Sequence, residues 1–112
     1  MSAARFAATP EPPYWVVVFS SQRRDDHDPT YATTAELMEQ LAERVPGFLG
    51  IESVRAADGF GITASYWESE AAIAAWRGDL DHQAAQRTGK TRWYDCYRIR
   101  VARVERAYGS VA

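Results

Sequence analysis

Between Phe60 and His82 the stretch FGITASYWESEAAIAAWRGDLDH gathers most of the side chains able to do chemistry or to hold a flat ligand. An imidazole such as that of His82 is a natural proton acceptor near neutral pH, with an unperturbed pKa of about 6.5. Tyr66, Trp67 and Trp76 supply aromatic walls for a pocket. These four form the candidate site, with His82 as the catalytic base and Tyr66, Trp67 and Trp76 as substrate-binding residues. Two of them also have a structural alternative. Trp76 on the inner face of a helix packs a core, and His82 on a helix surface is held by Asp81 or a Glu. Other signals are thinner. His27 stands among Asp25, Asp26 and Asp28 with no fixed ligand spacing, which reads as a solvated loop, so no metal site is expected. Arg98 and Arg100 could hold an anionic group or face carboxylates such as Asp95, Glu52 and Glu105. Trp93, Tyr94 and Tyr97 read as core and interface, and Cys96 as a small buried hydrophobe. There is no glycine-rich phosphate cradle and no nucleophile elbow.

The elements that must position these groups follow from the pattern. Phe60 to Trp67 alternates as a strand, with Phe60, Ile62, Ala64 and Tyr66 on one face and Gly61, Thr63, Ser65 and Trp67 on the other. Neither face is charged, as expected inside a sheet. Ser69 is placed to cap the helix that follows, and Ile73, Trp76 and Leu80 give that helix an apolar side. Gly78-Asp79 marks a possible break, with a continuation to Arg87. Earlier, Tyr14 to Ser21 is rich in β-branched and aromatic residues on both faces and reads as a central strand. Asp28 and Pro29 open a first helix. Its inner face is Tyr31, Ala35, Met38, Ala42 and Val45, with Leu41 alongside, and Pro46-Gly47 ends it. Phe48 to Ala57 is a more polar strand, nearer an edge, joined to the next by an Asp58-Gly59 turn. Trp93 to Arg106 is a long last strand: Tyr97, Ile99 and Val101 share one face and Arg98 and Arg100 the other. Its phase slips beyond Ala102, as a β-bulge would make it do.

The order β-α-β-β-α-β implies an α+β fold, ferredoxin-like, with an antiparallel sheet and both helices on one face. The other face then carries Val, Phe, Ile and Tyr without cover, and a homodimer packing sheet on sheet is the simplest remedy. One domain over 14–108 is expected, between a Pro-rich flexible tail at 1–13 and a short tail at 109–112. The chain has 112 residues, 46% hydrophobic, with net charge −2. That balance excludes disorder and leaves no electrostatic footprint for nucleic acid. No apolar run reaches the ~20 residues of a membrane span, and the N-terminus lacks a secretory signal. A single cysteine suits a cytoplasmic location.

PGFLGIES, DGFGITASYWES, AAW with a later His, and RWYDCYRIRVARVERAY fall in an order that resembles the antibiotic biosynthesis monooxygenase (ABM) domain, in its small stand-alone bacterial form. The likeness runs from Tyr14 to Tyr108. It implies a dimeric α+β barrel and a cofactor-independent monooxygenase that converts a planar aromatic or polyketide-like molecule to a quinone with O2, needing neither metal nor flavin. An alternative on the same fold is a small-molecule-binding or stress-related module without turnover. Haem-degrading members carry a helix Trp, a haem-ligating His about three turns on, and an Asn on the first strand. Trp76 matches the first, but Gln86 stands at the second position and YWVVVFSS contains no Asn, so haem chemistry is the least expected of the three.

Overall fold

The computed structural model describes residues 5–23, 38–86 and 94–110, and only the backbone of 81, 83–86, 94 and 95. Four strands lie in it: β1 (Tyr14–Arg23), β2 (Phe48–Arg55), β3 (Phe60–Trp67) and β4 (Tyr94–Val104). Helix α1 is described over residues 38–43, and α2 runs Glu70–Gln86. The strands form one sheet in the order β2-β3-β1-β4, with every pairing antiparallel. This is the ferredoxin-like α+β arrangement. The most apolar strand, β1, occupies the middle, and the more polar β2 lies at an edge. The start of the first helix, the His27 loop, Arg87 and Trp93 lie outside the described residues.

The register divides the side chains between two faces. Val17 opposes Ser65 and Val101, and Trp15 opposes Trp67 and Arg103, so these share one face. That face carries the core, where Val17, Ala42, Val45, Trp67 and Ala72 pack together with Trp15, Phe48, Ile73 and Trp76 around them. The apolar stripe of α2 recurs at Ala72, Ile73, Trp76 and Leu80, as helical spacing requires. Ser69 caps α2: its hydroxyl accepts the Ala72 amide at 3.1 Å. Two corrections to the sequence reading belong here. Helix α2 does not break at Gly78, because that residue is exposed and nothing crowds its backbone, so the helix bears only the modest propensity cost of a glycine. The irregularity on β4 is not beyond Ala102, where pairing with β1 is regular, but opposite Gln22/Arg23 at the other end of the strand.

The turn after α1 is clamped to the start of α2. Gly47 has φ of 102°, a conformation costly for other residues, and its carbonyl accepts the Glu68 amide at 2.8 Å. A Cβ at Gly47 would stand 3.0 Å from that of Ala72. The helix ends therefore meet backbone to backbone, and β3 delivers Trp67 directly beneath them. Between β2 and β3, the turn through Asp58 and Gly59 closes with the Gly59 amide on Ala56 O at 2.9 Å.

Among the described residues, no helix lies on the opposite face of the sheet. Tyr14, Val16 and Val18 share it with Tyr66, Ala64 and Ile62. Residues 5–13, read from the sequence as a tail outside the domain, lie across part of this face. The Ala7 amide donates to Glu52 Oε2 at 2.8 Å, and the Thr9 hydroxyl donates to Tyr14 Oη at 3.1 Å. Cys96, expected to be buried, is exposed on strand β4, at the edge of the described sheet, where its pairing with Gln22 sets it on this same face.

Candidate functional site

Trp67 is fully buried, and its indole stacks on that of Trp76 with ring centroids 5.0 Å apart and a 31° tilt. Phe48 meets Trp67 edge-on at 5.2 Å. Strand β3 supplies one ring and α2 the other, because the cap at Ser69 starts the helix two residues after Trp67 and brings its inner face back over the sheet. The indole N–H groups are both satisfied: Trp67 donates to Ser65 Oγ at 2.9 Å and Trp76 to the Met38 carbonyl at 3.2 Å. Trp76 is only half-buried and is the aromatic wall at the boundary of the helix–sheet layer.

The other two residues of the candidate site are elsewhere. His82 is exposed, and six residues beyond Trp76 sets it roughly 120° around α2 from that indole. Tyr66 alternates with Trp67 and so stands on the helix-free face. The structure thus brings Trp67 and Trp76 together, and the sheet itself divides them from Tyr66.

On its own face Tyr66 belongs to a second constellation that the sequence reading missed. Its hydroxyl donates to Glu52 Oε1 at 2.8 Å, while Glu52 Oε2 takes the Ala7 amide. The Tyr14 ring meets that of Tyr66 edge-on at 6.0 Å. Burial pushes the Tyr66 phenol up to about 12, and the hydrogen bond to Glu52 and its charge add to the rise. Tyr66 is therefore a phenol rather than a phenolate at any ordinary pH. Beside it, a groove of about 520 Å³ is lined by Arg5, Phe6, Glu52, Val54, Ile62 and Ala64. The signal for Glu52 was present in FLGIESV: with the hairpin register fixed by Asp58-Gly59, Glu52 falls opposite Ala64, next to Tyr66 on one face. Glu52 is thus engaged on both oxygens within its own half of the sheet, and Glu105 lies 3.5 Å from Arg103. Neither carboxylate is held by Arg98 or Arg100 in the bonds described. Tyr97 is exposed rather than core. On the core-bearing face near the β2–β3 turn, Arg55 donates to the Gly59 carbonyl and, at 2.9 Å, to the buried Ser21 hydroxyl. Among the described residues no three His, Cys, Asp or Glu side chains gather as metal ligands.

The profile of the family described as antibiotic biosynthesis monooxygenase matches residues 13–88. The chain belongs to the ABM family. It is 55% identical over 98 residues to the uncharacterized protein YqjZ of Bacillus subtilis (strain 168), covering 88% of this chain and 85% of that one. It is 27% identical over 94 residues to jasmonate monooxygenase ABM of Pyricularia oryzae, of which the aligned segment spans only 43%. Two solved folds superpose with a TM-score of 0.67 each. One is a mutant of MhuD with two manganese protoporphyrin IX molecules bound per active site, at 19% identity, covering 86% of this chain and 99% of that one. The other is a mutant of SnoaB, a cofactor-independent oxygenase from Streptomyces nogalater, at 14% identity, covering 87% and 98%. At such identities they share the ABM fold with this chain. No helix among the described residues is long and apolar enough to cross a membrane.

Proposed function

We propose that this protein is a monooxygenase that oxidises a planar aromatic or polyketide-like molecule to a quinone with O2 and no metal or flavin, working as a cytoplasmic homodimer. The observation that supports it is the half-buried Trp76, stacked on Trp67 within an ABM-family chain. It offers a flat apolar wall at the edge of the helix–sheet layer, and an electron-rich substrate laid on it is shielded from water on one side. Loss of a proton turns an anthrone-like phenol into an anion able to pass an electron to O2. The resulting radical pair joins as a hydroperoxide, and loss of water from it leaves the new quinone carbonyl, so both oxygen atoms are accounted for without an added reductant. In this reading His82 is the base that takes the proton, although it stands roughly 120° around α2 from Trp76, and Tyr66, on the other side of the sheet, does not touch the substrate.

Oxygen uptake with an anthrone- or hydroquinone-like probe, without added metal or flavin, tests this. General-base assistance is worth roughly 10²–10⁴ in rate. His82→Ala is expected to slow the reaction at least about tenfold while leaving the thermal midpoint nearly unchanged, since the ring is exposed. Equal rates in the two proteins would remove His82 from the mechanism. Trp76→Phe is the fair probe of stacking, because it keeps a ring on the wall.

A second reading, a binding module without turnover, is favoured by one feature: the exposed His82 stands roughly 120° around α2 from Trp76, which leaves ring stacking without an adjacent imidazole at that wall. Inactivity across a broad phenolic panel, with saturable quenching of tryptophan fluorescence by the same compounds, would select it.

A further inference from the structure

Residues 5–9 precede the segment that the family profile covers. They are held against the sheet at three points. The Ala7 amide sits on Glu52, the Thr9 hydroxyl on Tyr14, and Ala7 Cβ occupies the space a side chain on Gly50 would need, 2.7 Å from an ideal Cβ there. Gly50 lies at a register shift of β2 with φ of 154°, so this strand is shaped to receive the strap. A strap fastened at Ala7 and Thr9 fixes where the preceding Phe6 stands. Its ring lines the groove yet remains 72% exposed, beside Val54 at 68% and Ile62 at 42%. A large aromatic held out into water beside an uncovered apolar floor is the composition of an interface anchor.

We propose that Phe6 is a knob buried by a second copy of this chain, against Val54 and Ile62 of that copy's groove, with the reciprocal contact made across a two-fold axis. The inference rests on the reading that the helix-free face pairs with a second copy, and it names the residue that anchors the pairing. Knob and floor lie on one patch, which is the self-complementarity an isologous contact requires. The charges agree. Arg5 and Glu52 line the same groove with opposite signs, so a two-fold can set each Arg5 toward the other copy's Glu52, which keeps lone pairs beyond those taken by Ala7 and Tyr66. Because the strap is already fastened, burying Phe6 orders little that was free, and less of the gain is lost to entropy.

Sedimentation equilibrium of the full chain over a concentration series tests the inference and the reading beneath it separately. Wild type is expected to dimerise, Val18→Asp to be monomeric, and Phe6→Ala to dissociate at least about tenfold more readily with an unchanged circular dichroism spectrum. A monomeric wild type overturns the pairing of the faces and the knob with it. A dimer equally tight in wild type and Phe6→Ala overturns the knob alone. Small-molecule occupancy of the groove would show as a monomer whose Phe6→Ala variant loses ligand binding. A second measurement guards against the strap merely loosening. On a Cys96→Ser background, mild oxidation of a mixture of the Phe6→Cys and Val54→Cys proteins should yield the mixed covalent dimer faster than either protein dimerises alone. Failure to do so counts against the contact.

Discussion

The two faces of this sheet solve the burial of apolar surface differently. Beneath the helices, Trp67, Val17 and Ala42 are sealed and the polar atoms among them are paired within the chain: Ser65 serves Trp67, and the Met38 carbonyl serves Trp76. On the helix-free face, Val54, Phe60 and Ile62 are exposed, and the polar groups Glu52 and Tyr14 bind a strap, with Tyr66 joined to it only through Glu52. Strand β1 passes between the two with a different valine on each side. Around Trp67 one face closes within the chain, although Tyr97, Ile99 and Val101 stay exposed at its β4 end, while the other face is covered among the described residues by the strap alone.

The largest test of that contrast is Trp67→Ala. Removing a fully buried indole that bridges sheet and helix costs about 3–5 kcal/mol, read as a fall in the urea midpoint, and the loss should be the same at every protein concentration. A loss under 1 kcal/mol would mean the helix face is not the core. Next is the pair Val17→Asp and Val18→Asp. Val17 is buried under the helices, so an unpaired carboxylate there should unfold the monomer. Val18 is on the other face, so its charge should leave the monomer folded and cost several kcal/mol of association. Identical behaviour of the two variants would erase the distinction between the faces. A smaller effect is expected at Gly47→Ala, where a positive φ and the nearby Ala72 Cβ together cost roughly 1–3 kcal/mol. It should leave self-association untouched.

The smallest effect concerns Tyr66. A folded-state pKa of about 12 against an ordinary 10 means the protonated phenol is favoured by folding. That contribution is complete below pH 10 and is lost as pH rises through 12. Half-exposure of the ring keeps it modest. Thermal melts should therefore decline between pH 10 and 12 in wild type, and less steeply in Tyr66→Phe. Parallel curves would show that Glu52 and burial do not act on the phenol as described.

What was legible in the sequence is what depends on short-range rules. The period-two pattern of β3, the Ser69 cap, the Asp58-Gly59 turn and the inner face of α2 all involve residues a few positions apart, and all stand in the structure. The same alternation already set Tyr66 and Trp67 on opposite faces, yet adjacency in sequence invited treating them as one pocket. Illegible was whatever needs two distant segments to meet. Ala7 on Glu52 joins residues 45 apart, and nothing in MSAARFAATPEP announces a strap. The bulge was read from where β4 loses its apolar phase, but its position is set by how Gln22 and Arg23 pair, which only the partner strand determines. Cys96 read as buried because cysteine usually is; an edge position overrides that habit.

The central position of β1 has a temporal consequence. Its neighbours are β3 and β4, so Val17 waits for Ser65 and then for Val101 before its backbone is paired on both sides. The β2–β3 hairpin needs only its own turn. Non-local pairing of this kind slows folding, and pulsed hydrogen-exchange labelling during refolding should find the β2–β3 amides protected before those of β4. On the ribosome the order is harsher. The segment Trp15–Phe19, a run of aromatic and β-branched residues of the kind that aggregates when left unpaired, emerges before β3 and β4, the two strands that shelter it.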